Sequence, residues 1–343
     1  MSSVLTGSWG PGWSVGIFVL AAALTVVCSV RLAALGDTLA DRTGWGEALF
    51  GAVFFGLITS LSGIVMTAVS AAADRPGLAY GNAVGGITAQ TLAVVVADAF
   101  HRRANLEHAA ASMSNLLFGC LLTGLLGVAL LASFSPEATL WGVHPASVAL
   151  VAFYWGGIRL IRDHDEPMWR AVRTRDTVPD VPDDEPLRHG RVRLWGEFLG
   201  IAGLVVVGGW AVARAAGGIL DATGLSAGLV GAIFMGGVNA LPETVAAVAA
   251  VRRGAVTLAV AAIVGGNCLD VLNLAVGDLA FRGGSLYHSA DTDHLFLTSA
   301  SLVMTTVLLG GLLVRQRRGW LGLGFDGALL LTIYLSTVAV LAS

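Results

Sequence analysis

Stretches of about 20 residues with almost no charge recur along this chain, and they constrain it more than anything else. Residues 13–30, 111–132 and 321–342 are three of them. A helix of ~20 apolar residues spans the hydrocarbon core of a bilayer, so each reads as a transmembrane helix. Composition agrees. Of 343 residues, 55% are hydrophobic and 13% charged, with a mean hydropathy of +0.77. A soluble domain of this length needs more charge to cover its surface.

Ten spans are expected, at roughly 13–35, 46–73, 77–100, 109–132, 141–161, 195–215, 224–251, 255–280, 293–314 and 321–342. The predicted fold is all-α and integral to the membrane. Residues 162–194 form the longest polar interruption, with Asp163, Asp165, Glu166 and the acidic run Asp183, Asp184, Glu185. They read as a hydrophilic linker between a first five-helix repeat, 1–161, and a second, 195–343. The N-terminus lacks a basic region, so the first apolar block reads as a retained helix. Cys28, Cys120 and Cys268 are scattered inside apolar blocks, which argues against a disulfide framework or a zinc site.

The basic residues are all arginine, and they orient the spans. With both termini outside, the cytoplasmic loops hold 17 of the 20 arginines, leaving Arg75, Arg214 and Arg282 outside. The expectation is a multi-pass inner-membrane protein with a cytoplasmic 162–194 linker. Five spans per half make the halves face opposite ways, the inverted-repeat arrangement of many secondary transporters.

The halves also match in sequence. Residues 41–98 lie without a gap over 221–278, with 18 identities in 58 positions. Gly51/Gly231, Gly56/Gly236, Gly85/Gly265, Gly86/Gly266 and Asp98/Asp278 are among them. The duplicated segments are also where polar groups enter the membrane. Span 2 is interrupted by Thr59, Ser60, Leu61, Ser62 and Gly63, and span 7 by Asn239, Ala240, Leu241, Pro242 and Glu243. Gly and Pro there are expected to break the helices and free carbonyls for a cation.

Glu243 is the sharpest single residue, a carboxylate in an otherwise uncharged block from Leu225 to Val251. Such a group costs several kcal/mol unless partnered, so it points to function. The plainer alternative is a protonated Glu bonded to a neighbouring helix. Asn267 and Asp270 are three apart and share a helical face. With Glu243 they offer oxygens suited to hard cations such as Na+ or Ca2+; Asn267 could instead be packing glue between helices. The 180-residue register sets Gly63 opposite Glu243, Gln90 opposite Asp270 and Ile87 opposite Asn267. Thr59, Ser60, Asn82 and Gln90 are the first half's oxygen donors. Both acids therefore come from the second half.

Asp98 and Asp278 lie near span ends and read as helix-end acids facing an interface. Glu47, Glu197 and Asp326 lie close to span starts, where an acid favours the helix N-terminus. The histidines are mostly in loops without metal spacing, and no phosphate-binding loop occurs. An enzyme is not expected, nor is nucleic acid as a partner; the partners are the bilayer and small cations.

These motifs resemble the α-repeats of the cation/Ca2+ exchanger superfamily, which includes Na+/Ca2+ and H+/Ca2+ antiporters. That family's pattern is roughly Gly-Thr-Ser-Leu-Pro-Glu on one helix, followed by a Gly-Asn-rich stretch on the next. Here Val238 to Glu243 and Gly265 to Asp270 supply the second copy, and Thr59 to Gly63 and Gly81 to Gln90 the first. The resemblance implies ten helices, alternating access and a central site between spans 2, 3, 7 and 8. It implies Glu243 and Asp270 as the principal cation ligands, with Asn267, Asn239 and the Ala240 carbonyl nearby. Thr59, Ser60, Asn82 and Gln90 would answer from the first half. No cofactor is implied; Ca2+, Na+ or H+ is cargo. The family supplies a Glu from each repeat, and here one is Gly63. That departure leaves three readings: a Ca2+ exchanger, a monovalent Na+/H+ exchanger, or a non-transporting scaffold or sensor.

Overall fold

The computed structural model describes residues 10–43, 57–101, 105–110, 112–163, 191–252, 254, 256–316 and 324–343. Helices dominate: α1 (Pro11–Thr43), α2 (Leu61–Ala72), α3 (Pro76–Phe100), the short α4 (Leu106–Ala110), α5 (Met113–Ser133) and α6 (Pro145–Asp163). After the linker come α7 (Arg191–Thr223), α8 (Ala227–Arg252), α9 (Val256–Ala280), α10 (Thr292–Val314) and α11 (Phe325–Leu341). Among the described residues, α1, α3, α5, α7, α8, α9 and α10 are long and apolar enough to cross a membrane, and α2, α6 and α11 are shorter apolar helices. With α4 set aside, these are the ten helices of two inverted five-helix repeats. Most of the 162–194 linker, and Glu47 in the second span, lie outside the described residues.

The 180-residue register extends well past the segment where identities are frequent. Pro11–Thr43 and Arg191–Thr223 are both 33 residues long and start 180 apart. Pro76–Phe100 and Val256–Ala280 are both 25 residues and again 180 apart. Pro145 and Phe325 open α6 and α11 at the same offset. Helix ends are therefore shared between halves even where side chains are not.

Local chemistry accounts for these ends. Pro76 starts α3, where its missing N–H costs nothing. The Ser112 hydroxyl accepts the Asn115 N–H to cap α5, and Ser226 accepts that of Leu229 to cap α8. Asp291 and His294 form a capping box at the start of α10. That bond holds the Asp291 carboxyl below the usual range. The fifth span starts at Pro145 rather than near 141 because Trp141 and Gly142 turn the chain, with φ of 55° and 80°.

The described residues pack in four apolar clusters, and the two largest hold the helices of the site. The larger core gathers residues of α3, α5, α6, α8, α9 and α10, including Tyr80, Leu125, Ile263 and Leu308. A second joins α1, α2, α7 and α8 through residues such as Ala21, Met66, Val212 and Met235. The outer faces of α1 and α7 expose Trp13, Leu20, Val27, Leu199 and Val207, as a lipid-facing surface does. Glu197 differs from expectation. It lies inside α7 and bonds Arg31 of α1 at 2.6 Å rather than serving the helix start.

The crossing of α3 and α8 positions the site. A Cβ built on Gly81 would lie 3.1 Å from the Cα of Gly231, and one on Gly236 would lie 2.6 Å from the carbonyl carbon of Gly85. Only glycines permit so close an approach, as at other small-residue helix crossings in membranes. Val230–Met235 of α8 adopts a π-helical turn at this contact, a local widening often found at functional sites.

Candidate functional site

The residues singled out in sequence converge on one buried cluster between α2, α3, α8 and α9. Asn82, Gln90, Asn239, Asn267 and Asp270 are 0% exposed, and Glu243, the most accessible, is 6% exposed. Thr59, Ser60 and Ala240 are buried beside them.

Asp270 is the hub. Its Oδ2 accepts hydrogen bonds from Gln90 Nε2 at 2.6 Å and Asn239 Nδ2 at 3.3 Å, and its Oδ1 from Asn273 Nδ2 at 3.2 Å. Ser60 lies against it as well. Gln90 and Asp270 are mates in the 180-residue register, so their bond sits on the pseudo-twofold axis. Asn267 Nδ2 donates to Thr91 Oγ1 at 3.0 Å. Asn82 Nδ2 donates to the Gly63 carbonyl at 3.1 Å and to Thr67 Oγ1 at 2.9 Å.

The side-chain nitrogens of these amides are occupied, whereas many oxygens are not. Asn82 Oδ1, Gln90 Oε1, Asn267 Oδ1 and both Glu243 oxygens are buried with no aligned hydrogen bond, although Thr59 stands beside Glu243. None of the ion pairs among the described residues involves Glu243 or Asp270. A buried polar atom left unpaired costs roughly 1–3 kcal/mol. Five together rival the ~5–15 kcal/mol stability of a whole domain. Orphans that are all acceptors form an environment suited to a positive ion.

Helix α8 corrects one expectation. It does not break at 239–243 but runs through Pro242 to Arg252. Proline removes the donor to the carbonyl four residues earlier, so Val238 loses a partner and Ala240 does not. The Ala240 carbonyl accepts the Thr244 hydroxyl at 2.7 Å. In the first half, a turn does fall at Ser60 between helical residues 57–59 and α2. Sequence reasoning missed Asn273, which continues the three-residue spacing of Asn267 and Asp270. It also missed Ser62, Thr67 and Thr91, whose hydroxyls look like ordinary helix residues until partners are known. Among the described residues no three His, Cys, Asp or Glu converge as a metal site, so Glu243 and Asp270 are the only carboxylates of this cluster.

Other candidates have structural roles. Asp278 Oδ1 accepts the Leu286 N–H at 3.0 Å, and its Oδ2 accepts the His144 N–H and the Ser147 hydroxyl, both at 2.7 Å. Asp98 Oδ1 accepts the Leu106 N–H at 2.6 Å. Asp98 lies with Glu107 and Asp326 in a buried acidic group, and Glu107, in α4 outside the spans, is pushed up to about 8 by burial and then by the Asp326 charge. A Gly-x-Ser-x-Gly stretch at 224–228, which sequence reasoning overlooked, spends its Ser226 hydroxyl on the α8 cap. His294 is buried in α10, with Nε2 2.8 Å from the Gly77 carbonyl.

A family model described as sodium/calcium exchanger protein matches residues 13–160 and 193–342. No curated protein matches by sequence. Among solved structures, the H+/Ca2+ exchanger CAX superposes with a TM-score of 0.70 at 13% identity, over 99% of this chain and 88% of that one. Native YfkE gives 0.67 at 13% identity, over 95% and 91%. The sodium-calcium exchanger NCX_Mj, soaked with Na+ and Sr2+, gives 0.60 at 17% identity, over 95% and 97%. At these identities the likeness is one of fold.

Proposed function

From the premise that this chain belongs to the sodium/calcium exchanger family, matched over both halves, we propose that it is a secondary cation antiporter carrying Ca2+ against Na+ or H+ by alternating access. The observation that carries the reading is the set of orphaned buried oxygens between α2, α3, α8 and α9. Ca2+ takes 6–8 oxygens, several of them charged. Glu243 offers two, and Asn82, Gln90 and Asn267 one each, beside the Asp270 carboxylate and the Asn239 amide. Glu243 and Asp270 are the principal ligands in this reading. Thr59 and Ser60 support one carboxylate each, and Ala240 contributes backbone only.

The arginine distribution supports an inner-membrane protein with both termini outside and a cytoplasmic linker. A periplasmic or cytoplasmic reporter fused at Ser343 tests that orientation.

Calcium-45 uptake into proteoliposomes under an outward Na+ or H+ gradient is the direct test. Uptake that collapses in Glu243→Gln supports the reading. One observation favours a second reading, monovalent Na+/H+ exchange: with Gly63, the first half gives the central cluster no carboxylate. Na+-driven pH change with no calcium uptake would establish that reading instead. The scaffold reading would hold if purified protein were stabilised by none of Na+, K+, Ca2+, Mg2+ and Mn2+.

A further inference from the structure

A hydrogen bond at one end of the molecule has a counterpart at the other end that lacks its hydrogen. In the second half, the Ser147 and Tyr287 hydroxyls meet at 3.0 Å beside Asp278. The 180-residue register puts Glu107 at the position of Tyr287. Asp326, near the start of α11, stands as Ser147 does near the start of α6. The Glu107 and Asp326 carboxyls lie within hydrogen-bonding reach of each other. Hydroxyls bring their own hydrogens, whereas two carboxylates bring none.

The surroundings do not supply one. Glu107 and Asp326 are each 2% exposed. Both Glu107 oxygens and Asp326 Oδ2 are buried without a donor, and the buried Asn105 amide nitrogen has no acceptor. Two glycines close the pocket. A Cβ on Gly311 would meet Asp326 Oδ2, and one on Gly324 would meet Asp326 Oδ1 and lie 2.9 Å from the Asn105 nitrogen. Asp98, the third acid, already holds the Leu106 N–H. His108 bonds the Arg315 carbonyl and Arg315 the His108 carbonyl, while His101 ends α3. Helices α9 and α10 carry no charge in the turns beside this pocket. None of the ion pairs among the described residues reaches Glu107 or Asp326; Arg102, Arg103, Arg317 and Arg318 lie outside those residues. No three acids or histidines among the described residues converge as a metal site, so what the pair lacks is a proton.

We propose that Glu107 and Asp326 form a proton-binding site, separate from the central cluster, in which one shared proton joins α4 to α11. The proton sits on one carboxyl, whose O–H donates to the other, and one buried negative charge replaces two. Its loss leaves two like charges in a dry pocket, and α4 parts from α11. The Glu107 value of about 8 places the release just above neutral pH. On the orientation that the arginines support, this end faces the cytoplasm, so the site responds to cytoplasmic pH.

Hydrogen exchange of the α4 backbone, corrected for intrinsic rates, tests this in the full-length protein. Raising the pH from about 6.5 to about 9 is expected to increase α4 opening about tenfold, since the folded pair binds a proton that the open pair releases. In Glu107→Gln, and equally in Asp326→Asn, an amide N–H donates permanently. Either variant should therefore abolish the pH effect, and the double variant should remove no more. Should Asp326→Asn keep the effect, Glu107 titrates alone and the sharing is overturned. An effect that survives Glu107→Gln, or is missing from the native protein, overturns the site altogether. Infrared difference spectra between the two pH values give a second measure that needs one variant. They should contain a carboxylic-acid carbonyl band that Glu107→Gln removes; persistence of the whole band in that variant counts against the proposal. Glu243→Gln should leave both measures unchanged, and their loss there would move the proton to the central cluster.

Discussion

Asp98 and Asp278 end α3 and α9 at matching positions, and each accepts the backbone N–H eight residues on, from Leu106 and Leu286. Beyond that bond their surroundings diverge. Asp278 accepts hydrogen bonds from ordinary donors, the His144 N–H and the Ser147 hydroxyl, which in turn lies 3.0 Å from the Tyr287 hydroxyl. At the first-half end, Glu107 takes the register position of Tyr287, and Asp326 sits near the start of α11 as Ser147 sits near the start of α6. One acid among donors becomes three acids together. A second matched pair behaves likewise: His288 bonds the Ser135 carbonyl at 2.7 Å and His108 the Arg315 carbonyl at 2.6 Å. Bonds involving the main chain persist in both halves because helix ends fix them. Side-chain partners were free to drift.

The most damaging way to break the comparison is at the centre. Glu243→Gln is expected to lower ion flux by about 100-fold or more, the scale of losing a charged group made only for the ion, read as calcium-45 or pH-dye flux. Asp270→Asn should follow. It is expected to lose at least about tenfold, because Gln90, Asn239 and Asn273 all donate to that carboxylate.

The end sockets separate next. Asp278→Ala leaves three donors unpaired in a buried place and should cost about 3 kcal/mol, read by thermal unfolding in detergent. Asp98→Ala removes one hydrogen bond but also one of three neighbouring acids, so its cost should be smaller. Equal costs would mean the two sockets are equivalent after all.

Glu107 gives the comparison a pH axis. Its folded value of about 8 lies above the ordinary 4.5, so the folded chain binds a proton that the unfolded chain releases. Stability from this group is complete below pH ~4.5 and is lost as pH rises towards ~8. Native protein should therefore melt earlier at pH 8 than at pH 6, and Glu107→Gln should flatten that slope. The smallest effect is expected from Arg31→Ala. Arg31 and Glu197 are exposed, and such pairs contribute about 0–1 kcal/mol.

The sequence by itself determined the spans, the 180-residue register and the acids and amides of the central cluster other than Asn273. Those features are written along the chain, in apolar runs, matched glycines and ionisable groups in uncharged blocks. Span boundaries moved where turn chemistry intervened, as at Trp141 and Gly142. Tertiary structure decided who faces whom. Asn239 meeting Gly63, Gln90 meeting Asp270, Glu107 meeting Asp326 and Arg31 meeting Glu197 are contacts between helices distant in sequence. They depend on how closely helices cross; where α3 meets α8, glycines set that distance. The path of α8 belongs to the same class: Pro242 signalled a break, but the helix runs on through it, and its π-helical turn lies at the glycine crossing with α3 instead. Local pattern specifies a helix and its polar residues; the partner of a buried polar atom is specified only once two helices are in contact.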